Sequence, residues 1–332
     1  TLLLNGMYQT ADFQTNINEL PAPLNTLNFQ QPQNAWTGEA QHILRSHYVN
    51  TIIGAGYSYI NGVTRFIVKT DTFCALPNPT PPPDCLIEIP GDQQSTQTGN
   101  DINHTNVYGY SYIKPLNNVI VTLGVSTDFV DSNDPVNGNS NQVNPKFGLI
   151  WEPLPGTIIR AAAFRTLKRT LVTQQTIEPT QVAGFNQFYD DINSTDAWRY
   201  GVALNQKFTK AIYAGGEWTY RKMKSPFTAL SADDPNVTSV LRENQNEYQA
   251  LGYFFWAPHD WVALKTQFIW DLYKTEGLTD QPLRLNTYRV PFGISVFHPS
   301  QFSAYATATY WIQEGTFGPQ AQEAQDHFWT VA

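Results

Sequence analysis

The chain has 332 residues, a formal charge of −8, 41% hydrophobic residues and only 14% charged ones, about half the charged share of an ordinary soluble domain. The acidic balance argues against nucleic acid as a partner, and the lack of any apolar run of about 18 residues excludes a transmembrane helix. Asn, Gln, Thr, Ser and a 14% aromatic share replace the missing charges, a composition that suits apolar faces toward lipid, aromatic belts and a polar interior.

Thr1 already opens a strand-like stretch with no leader before it, so the chain is read as mature or cut. Strand-like runs then follow to the end, separated by connections that alternate between short and long. Phe13–Asn34 reads as a long polar connection and Ser46–Tyr48 as a short turn. Thr70–Asn100 is the longest connection, and Cys74 and Cys85 bracket its ALPNPTPPPD segment. The Pro-rich stretch cannot be helix or central strand, and the two cysteines lack a CxxC metal or redox spacing. They are expected to form a disulfide in an external loop, which implies an oxidising compartment.

Val119, Val121, Leu123 and Val125 form the apolar face of the next run, and Asp131–Asn141 forms a long connection. Pro153–Gly156 is a short turn, after which Arg160, Ala162 and Phe164 share a face of mixed polarity. Arg169–Thr195 is again long. In Ala211–Arg221, Ile212, Ala214, Gly216, Trp218 and Tyr220 oppose Glu217, Thr219 and Arg221. Lys224–Glu243 is long and Pro258–Asp260 is short. From Asp260 to Lys274, Val262, Leu264, Phe268, Trp270 and Leu272 oppose Lys265, Gln267 and Asp271. Phe302–Gln313 repeats this pattern after a short turn at Pro299–Ser300, and Asp326–Ala332 starts a last strand.

Alternation with period two places one polarity on each face of a strand. About 14 strands of about 10 to 15 residues, with every long connection at one end, match a membrane barrel with short periplasmic turns and long external loops. A β-propeller or β-helix needs a repeat of fixed period, and none is found. The expected fold class is therefore all-β, an antiparallel transmembrane β-barrel in a bacterial outer membrane. Residues 1–332 are expected to form one barrel domain, incomplete at its C-terminus, with any plug or repeat region outside it. Thr1–Thr10 and Asp326–Ala332 are expected at opposite edges of the sheet. Leu264, Phe268 and Trp270 should face lipid. Lys265, Gln267, Asp271, Glu217 and Arg221 are the lumen-facing candidates.

The segment Asn144–Arg169, NPKFGLIWEPLPGTIIRAAAFRTLKR, resembles the hairpin of TonB-dependent receptor barrels. Gln174–Asp191, QQTIEPTQVAGFNQFYDD, resembles receptor-like barrels that some proteobacteria fuse behind tetratricopeptide repeats, and Glu39–Tyr57 and Asp326–Ala332 fit the same group. The resemblance implies an outer-membrane barrel that passes or imports a solute, receptor-like or porin-like. Export or assembly beside periplasmic repeat helices, and a surface adhesin or scaffold, are the alternatives. The plug and TonB box of such receptors are not found between Thr1 and Ala332.

No catalytic motif, cofactor site or metal spacing is found, so no enzyme activity and no cofactor are expected. None of His42, His47, His104, His259, His298 and His327 lies in such a spacing. Asp190–Asp191 and Asp233–Asp234 read as solvated loop acids rather than a calcium site. Lys168, Arg169, Arg221, Lys222 and Lys224 gather at loop ends, where they either solubilise the strand ends or meet lipopolysaccharide phosphates. The expected partners are outer-membrane lipid and lipopolysaccharide, with a periplasmic or surface protein beside them.

Overall fold

Most of the described residues are strand. The computed structural model describes residues 1–17, 24–70, 73–74, 88–89, 93–133, 139–169, 175–230, 238–277, 282–318 and 320–332. Fourteen strands form one sheet: β1 (Leu2–Ile17), β2 (Leu24–Arg45), β3 (Val49–Thr70), β6 (Gln93–Leu116), β7 (Val119–Ser132), β8 (Ser140–Leu154), β9 (Thr157–Leu167), β12 (Asp196–Lys207), β13 (Ile212–Leu230), β14 (Thr238–His259), β15 (Val262–Thr275), β16 (Arg284–Phe297), β17 (Ser303–Phe317) and β18 (Gln322–Val331). Two small hairpins, β4 (Phe73–Cys74) with β5 (Glu88–Ile89) and β10 (Gln181–Val182) with β11 (Phe185–Asn186), stand apart from it.

Strands pair in chain order and every pair of neighbours is antiparallel. Such meanders need only tight turns at one end. Pro155 and Gly156 join β8 to β9, with Gly156 at φ 84°. The Pro–Gly order is that of a type II turn, whose third residue needs a positive φ. At the turn after β12, the Thr209 hydroxyl accepts from the Ala211 and Ile212 amides. The sheet is open, with β1 and β18 as its edges, the expected placement of the two end segments.

Several strands are longer than expected. β2, β3 and β14 have 22 residues each and β6 has 24. At about 3.4 Å per residue the longest reaches roughly 80 Å, beyond an apolar layer about 30 Å thick even when tilted. The described parts of Phe13–Asn34, Thr70–Asn100 and Lys224–Glu243 are therefore strand rather than loop. The sequence of these outer strand ends is polar at both alternating sets of positions, as in the QQSTQTGNDINHT run that opens β6. Their sequence carries no apolar alternation for that reason. Cys85 lies outside the described residues, and so does the expected disulfide with Cys74.

The two faces are inverted relative to a soluble protein. On β7, Thr122, Ser126 and Asp128 are buried while Leu123, Val125 and Phe129 are exposed. β8 buries Gln142, Asn144 and Lys146 and exposes Val143, Phe147 and Leu149. Phe254, Trp256, Leu264, Phe292, Ile294 and Ala306 continue the apolar face over β14 to β17. Trp151, Trp256, Trp261, Phe297 and Phe302 are exposed beside the short turns, where amphipathic rings mark a membrane interface. An arginine placed on the apolar face at mid-membrane costs about 2–4 kcal/mol. Phe268→Arg is expected to lower refolding stability in lipid vesicles by that amount, and Gln267→Arg, on the opposite face, by far less. Equal losses would contradict the assignment of the faces.

Candidate functional site

The polar face is concave. Met7 of β1, Ala35 of β2, Ile60 of β3, Ile102 of β6, Val130 of β7 and Leu167 at the end of β9 pack in one cluster. Strands well separated in the sheet can meet in this way only if the sheet curls around that face. After β9 the chain turns onto this face, and residues 175–195 cross it before β12 begins.

The segment is anchored by a small hairpin. Ala183 and Gly184, with φ values of 48° and 85°, form a two-residue turn between Val182 and Phe185. Positive φ at both central positions is the signature of a type I′ hairpin turn. Val182, Ala183 and Phe185 pack against Ala162, Phe164 and Ala203 of the wall, with Ile150 beside them. The mixed polarity of Arg160, Ala162 and Phe164 is thereby explained: the hairpin gives this part of the polar face an apolar cover.

Two wall glycines make room for it. A Cβ on Gly148 would lie 3.0 Å from both Ala183 Cβ and Val182 Cγ1, and one on Gly201 would lie 2.5 Å from the Phe185 ring. Gly148 belongs to the Pro-Lys-Phe-Gly-Leu stretch at Pro145–Leu149. Phe147 and Leu149 of that stretch lie on the exposed face, whereas the Lys146 ammonium is buried and donates to Arg165 O at 3.0 Å.

Polar contacts hold the rest of the segment. Glu39 of β2 accepts from Thr176 Oγ1 and from the Ile177 amide, both at 2.7 Å. Gln41 donates to Ile177 O and, at 3.1 Å, to the Tyr108 hydroxyl. Tyr110 donates to Glu178 Oε1 at 2.6 Å, and Gln187 donates to the Tyr110 hydroxyl at 3.1 Å. Glu178 also accepts from Arg169 Nη2 at 2.6 Å. Arg169 in turn lies 3.7 Å from Asp128, which accepts from Asn144 at 2.6 Å and meets His104 Nε2 at 2.9 Å. Buried charges are tolerable only when paired and hydrogen-bonded in this way.

A second group lies further round the wall. Arg160 donates to Glu217 at 3.0 Å. Arg221 donates to Glu247 at 2.7 Å and to Asp191. The segment lays aromatic rings on the row of arginines. Arg160 sits 5.0 Å from the Phe185 ring centre and Arg169 5.3 Å from that of Phe188. Arg199 and Arg221 lie 4.7 Å and 3.9 Å from that of Tyr189. Each such contact contributes on the order of 0.5–2 kcal/mol when desolvated. A cavity of about 870 Å³ remains between the segment and β1, lined by Leu3, Asn5, Arg169, Ile177, Phe188 and Tyr189 among others.

The sequence-derived candidates fall in two places. Glu217 and Arg221 belong to the second group. Asp271 lies on the same face farther along, accepting from Gln249 at 2.7 Å and from Arg289 at 2.6 Å. Gln267 shares that strand face half-buried, while Lys265 is exposed and lies against Gly293. Arg169 and Arg221 are not loop-end surface charges as expected; both are buried because the chain folds over them. Asp191 is likewise no solvated loop acid, since it pairs with Arg221. His104, Asp128, Asn144, Lys146 and Arg199 were missed. Period-two alternation along β6, β7, β8 and, for Arg199, β12 is the signal that could have found them.

These observations define an antiparallel barrel wall of the outer-membrane class, apolar outside and polar within. The family model described as TonB dependent receptor-like, beta-barrel matches residues 1–186, and the chain belongs to that family, whose members lie in the Gram-negative outer membrane. No curated protein matches its sequence. The outer-membrane ferripyoverdine receptor of Pseudomonas aeruginosa has the same fold, with a TM-score of 0.60 at 8% identity over 99% of this chain and 46% of the receptor. The siderophore receptor PiuA from Acinetobacter baumannii gives 0.53 at 10% identity over 100% of this chain and 60% of PiuA. The ferric citrate transporter FecA gives 0.54 at 12% identity over 99% of this chain and 53% of FecA. The chain thus spans about half the length of these receptors.

Overpacking at a wall position costs about 1–3 kcal/mol, and at Gly201 that cost falls on the docked hairpin. Gly201→Leu is expected to raise hydrogen exchange of the Gln187 amide, which donates to Thr180 O at 3.0 Å, by roughly 10-fold or more. Exchange in the core of β9 and β12 should stay slow. Unchanged protection at Gln187 would contradict the docking.

Proposed function

We propose that the concave face is the lumen of the barrel and that the chain walls a passage for solute uptake across the outer membrane. The observation that carries this reading is the inverted pair of faces in a TonB-dependent receptor-like barrel: hydrogen-bonded charges line the concave side and bare apolar residues cover the other. Lys265, Gln267, Asp271, Glu217 and Arg221 are then lumen residues, and Leu264, Phe268 and Trp270 face lipid. The 175–195 segment stands inside the passage as a stopper. Exposed Lys222 and Lys224, at the loop end of β13, are placed to meet lipopolysaccharide phosphates. The open edges of β1 and β18 present backbone groups that cost several kcal/mol each if left unpaired in lipid, so additional strands pair with them in the membrane.

The likeness of Gln174–Asp191 to barrels fused behind tetratricopeptide repeats favours a second reading, a barrel for export or assembly tied to periplasmic helices. Helical repeats of about 34 residues in the same gene would favour it over uptake, and a plug with a TonB box would do the reverse.

The passage itself is tested electrically. In planar lipid bilayers the protein is expected to insert and to give discrete conductance steps once mild denaturant loosens the stopper. Stable insertion without conductance, with or without denaturant, would contradict passage and leave a surface adhesin or scaffold as the better account.

A further inference from the structure

Arg199 stands out among the charged residues of the concave face. It is 5% exposed, yet it forms no ion pair with a described residue. Among the described residues its Nε has no hydrogen-bond partner, and its one hydrogen bond runs from Nη1 to Asn186 O at 3.4 Å, the long limit for such a bond. The neighbouring acids are already engaged, Glu217 by Arg160 and Glu247 by Arg221. Arg221 lies directly opposite Arg199 in the β12–β13 register, and like charges so placed repel each other. What covers the pair is the Tyr189 ring, together with Asp191, which pairs with Arg221 and not with Arg199. A wall that buries two adjacent guanidinium groups and leaves one of them without an ion pair among the described residues can receive negative charge from elsewhere.

We propose that Arg199 and Arg221 form a lumenal binding site for an oxyanion group, carboxylate or phosphate, of the transported solute, and that Tyr189 and Asp191 occupy the site while the stopper is docked. The proposal rests on the uptake reading for its direction of passage, but not for the site itself. Two adjacent guanidinium forks match the oxygen geometry of carboxylate and phosphate. Aromatic and acidic residues of the stopper take up the same donors and the same faces of the guanidinium planes. Solute and stopper would therefore compete: binding of the anion favours the undocked segment, and docking expels the anion. Tyr189 is the competing group to remove, because its ring touches both arginines, and Gly201 is the wall position from which the hairpin can be pushed without altering either one.

The test uses the full-length protein purified in detergent and titrated with inorganic phosphate by calorimetry. Tyr189→Ser is expected to bind phosphate at least ~10-fold more tightly than the unaltered protein, and adding Arg199→Gln to return affinity to the starting level. Gly201→Leu serves as the second variant if Tyr189→Ser fails to fold, with the same expectation. In planar bilayers under a potassium chloride gradient, the same variants are expected to show an anion-selective reversal potential that weakens with Arg199→Gln. Phosphate affinity that does not change in either variant, with hydrogen exchange showing the segment released, would overturn the proposal. So would phosphate binding that survives Arg199→Gln undiminished. Conductance without phosphate binding removes the site and leaves the passage standing; phosphate binding without conductance removes the passage and leaves the site.

Discussion

Inside a bilayer no water is available to satisfy the backbone, so every N–H and C=O in the apolar layer must find a partner in the protein. The continuous antiparallel ladder from β1 to β18 meets this demand along its length. It also dictates the sequence. Because side chains alternate across a strand, one parity must be apolar for lipid while the other is free to be polar. The inverted faces of β7, β8 and β12, the aromatic residues beside the short turns and the low charge content all follow from that requirement.

A polar interior creates a second problem, since charges crowded on a concave surface must be neutralised. The chain answers with its own 175–195 segment. A type I′ turn presents Val182, Ala183 and Phe185 to a shallow apolar patch opened by Gly148 and Gly201. On either side of this patch, Glu178 and Asp191 meet Arg169 and Arg221, and Phe185, Phe188 and Tyr189 cover the row of arginines. The apolar patch and the ionic contacts depend on one another. Without the patch, the acids would have to find their partners from a mobile loop; without the ion pairs, three apolar residues would be a weak anchor. Within the row of Arg160, Arg169, Arg199 and Arg221, Arg199 is the one without a carboxylate partner among the described residues, which makes it the position where a ligand has most to offer.

Much of this fold is written plainly in the sequence. The alternation in Asp260–Lys274 and Phe302–Gln313, the Pro–Gly turn at Gly156 and the regular placement of long connections lead directly to an antiparallel barrel wall. The strand ends that project beyond the membrane were not legible, because polar residues at both alternating sets of positions remove the period-two signal. The stopper was harder still. Its turn is only two residues long, its strands are two residues each, and its partners lie on strands as far away in sequence as Glu39 and Gly201. The resemblance at Gln174–Asp191 marked the segment as characteristic of a group of barrels without indicating where it lies. Glu217 and Arg221 could be placed on one face by parity, but their engagement with Arg160, Glu247 and Asp191 depends on curvature, which alternation does not encode.

The central claim is that the hairpin lies docked on the concave wall in the membrane, and a cross-link tests it most directly. A Cβ at position 148 would sit 3.0 Å from Ala183 Cβ, near the separation of about 3.5–4.5 Å that a disulfide spans. In a background where Cys74 and Cys85 are replaced by serine, the pair Gly148→Cys and Ala183→Cys is expected to form a disulfide in intact outer membranes without added oxidant. The control pair Leu149→Cys and Ala183→Cys, with one cysteine on the lipid side, should stay reduced. Two free thiols at 148 and 183 in properly folded, membrane-inserted protein would contradict the account.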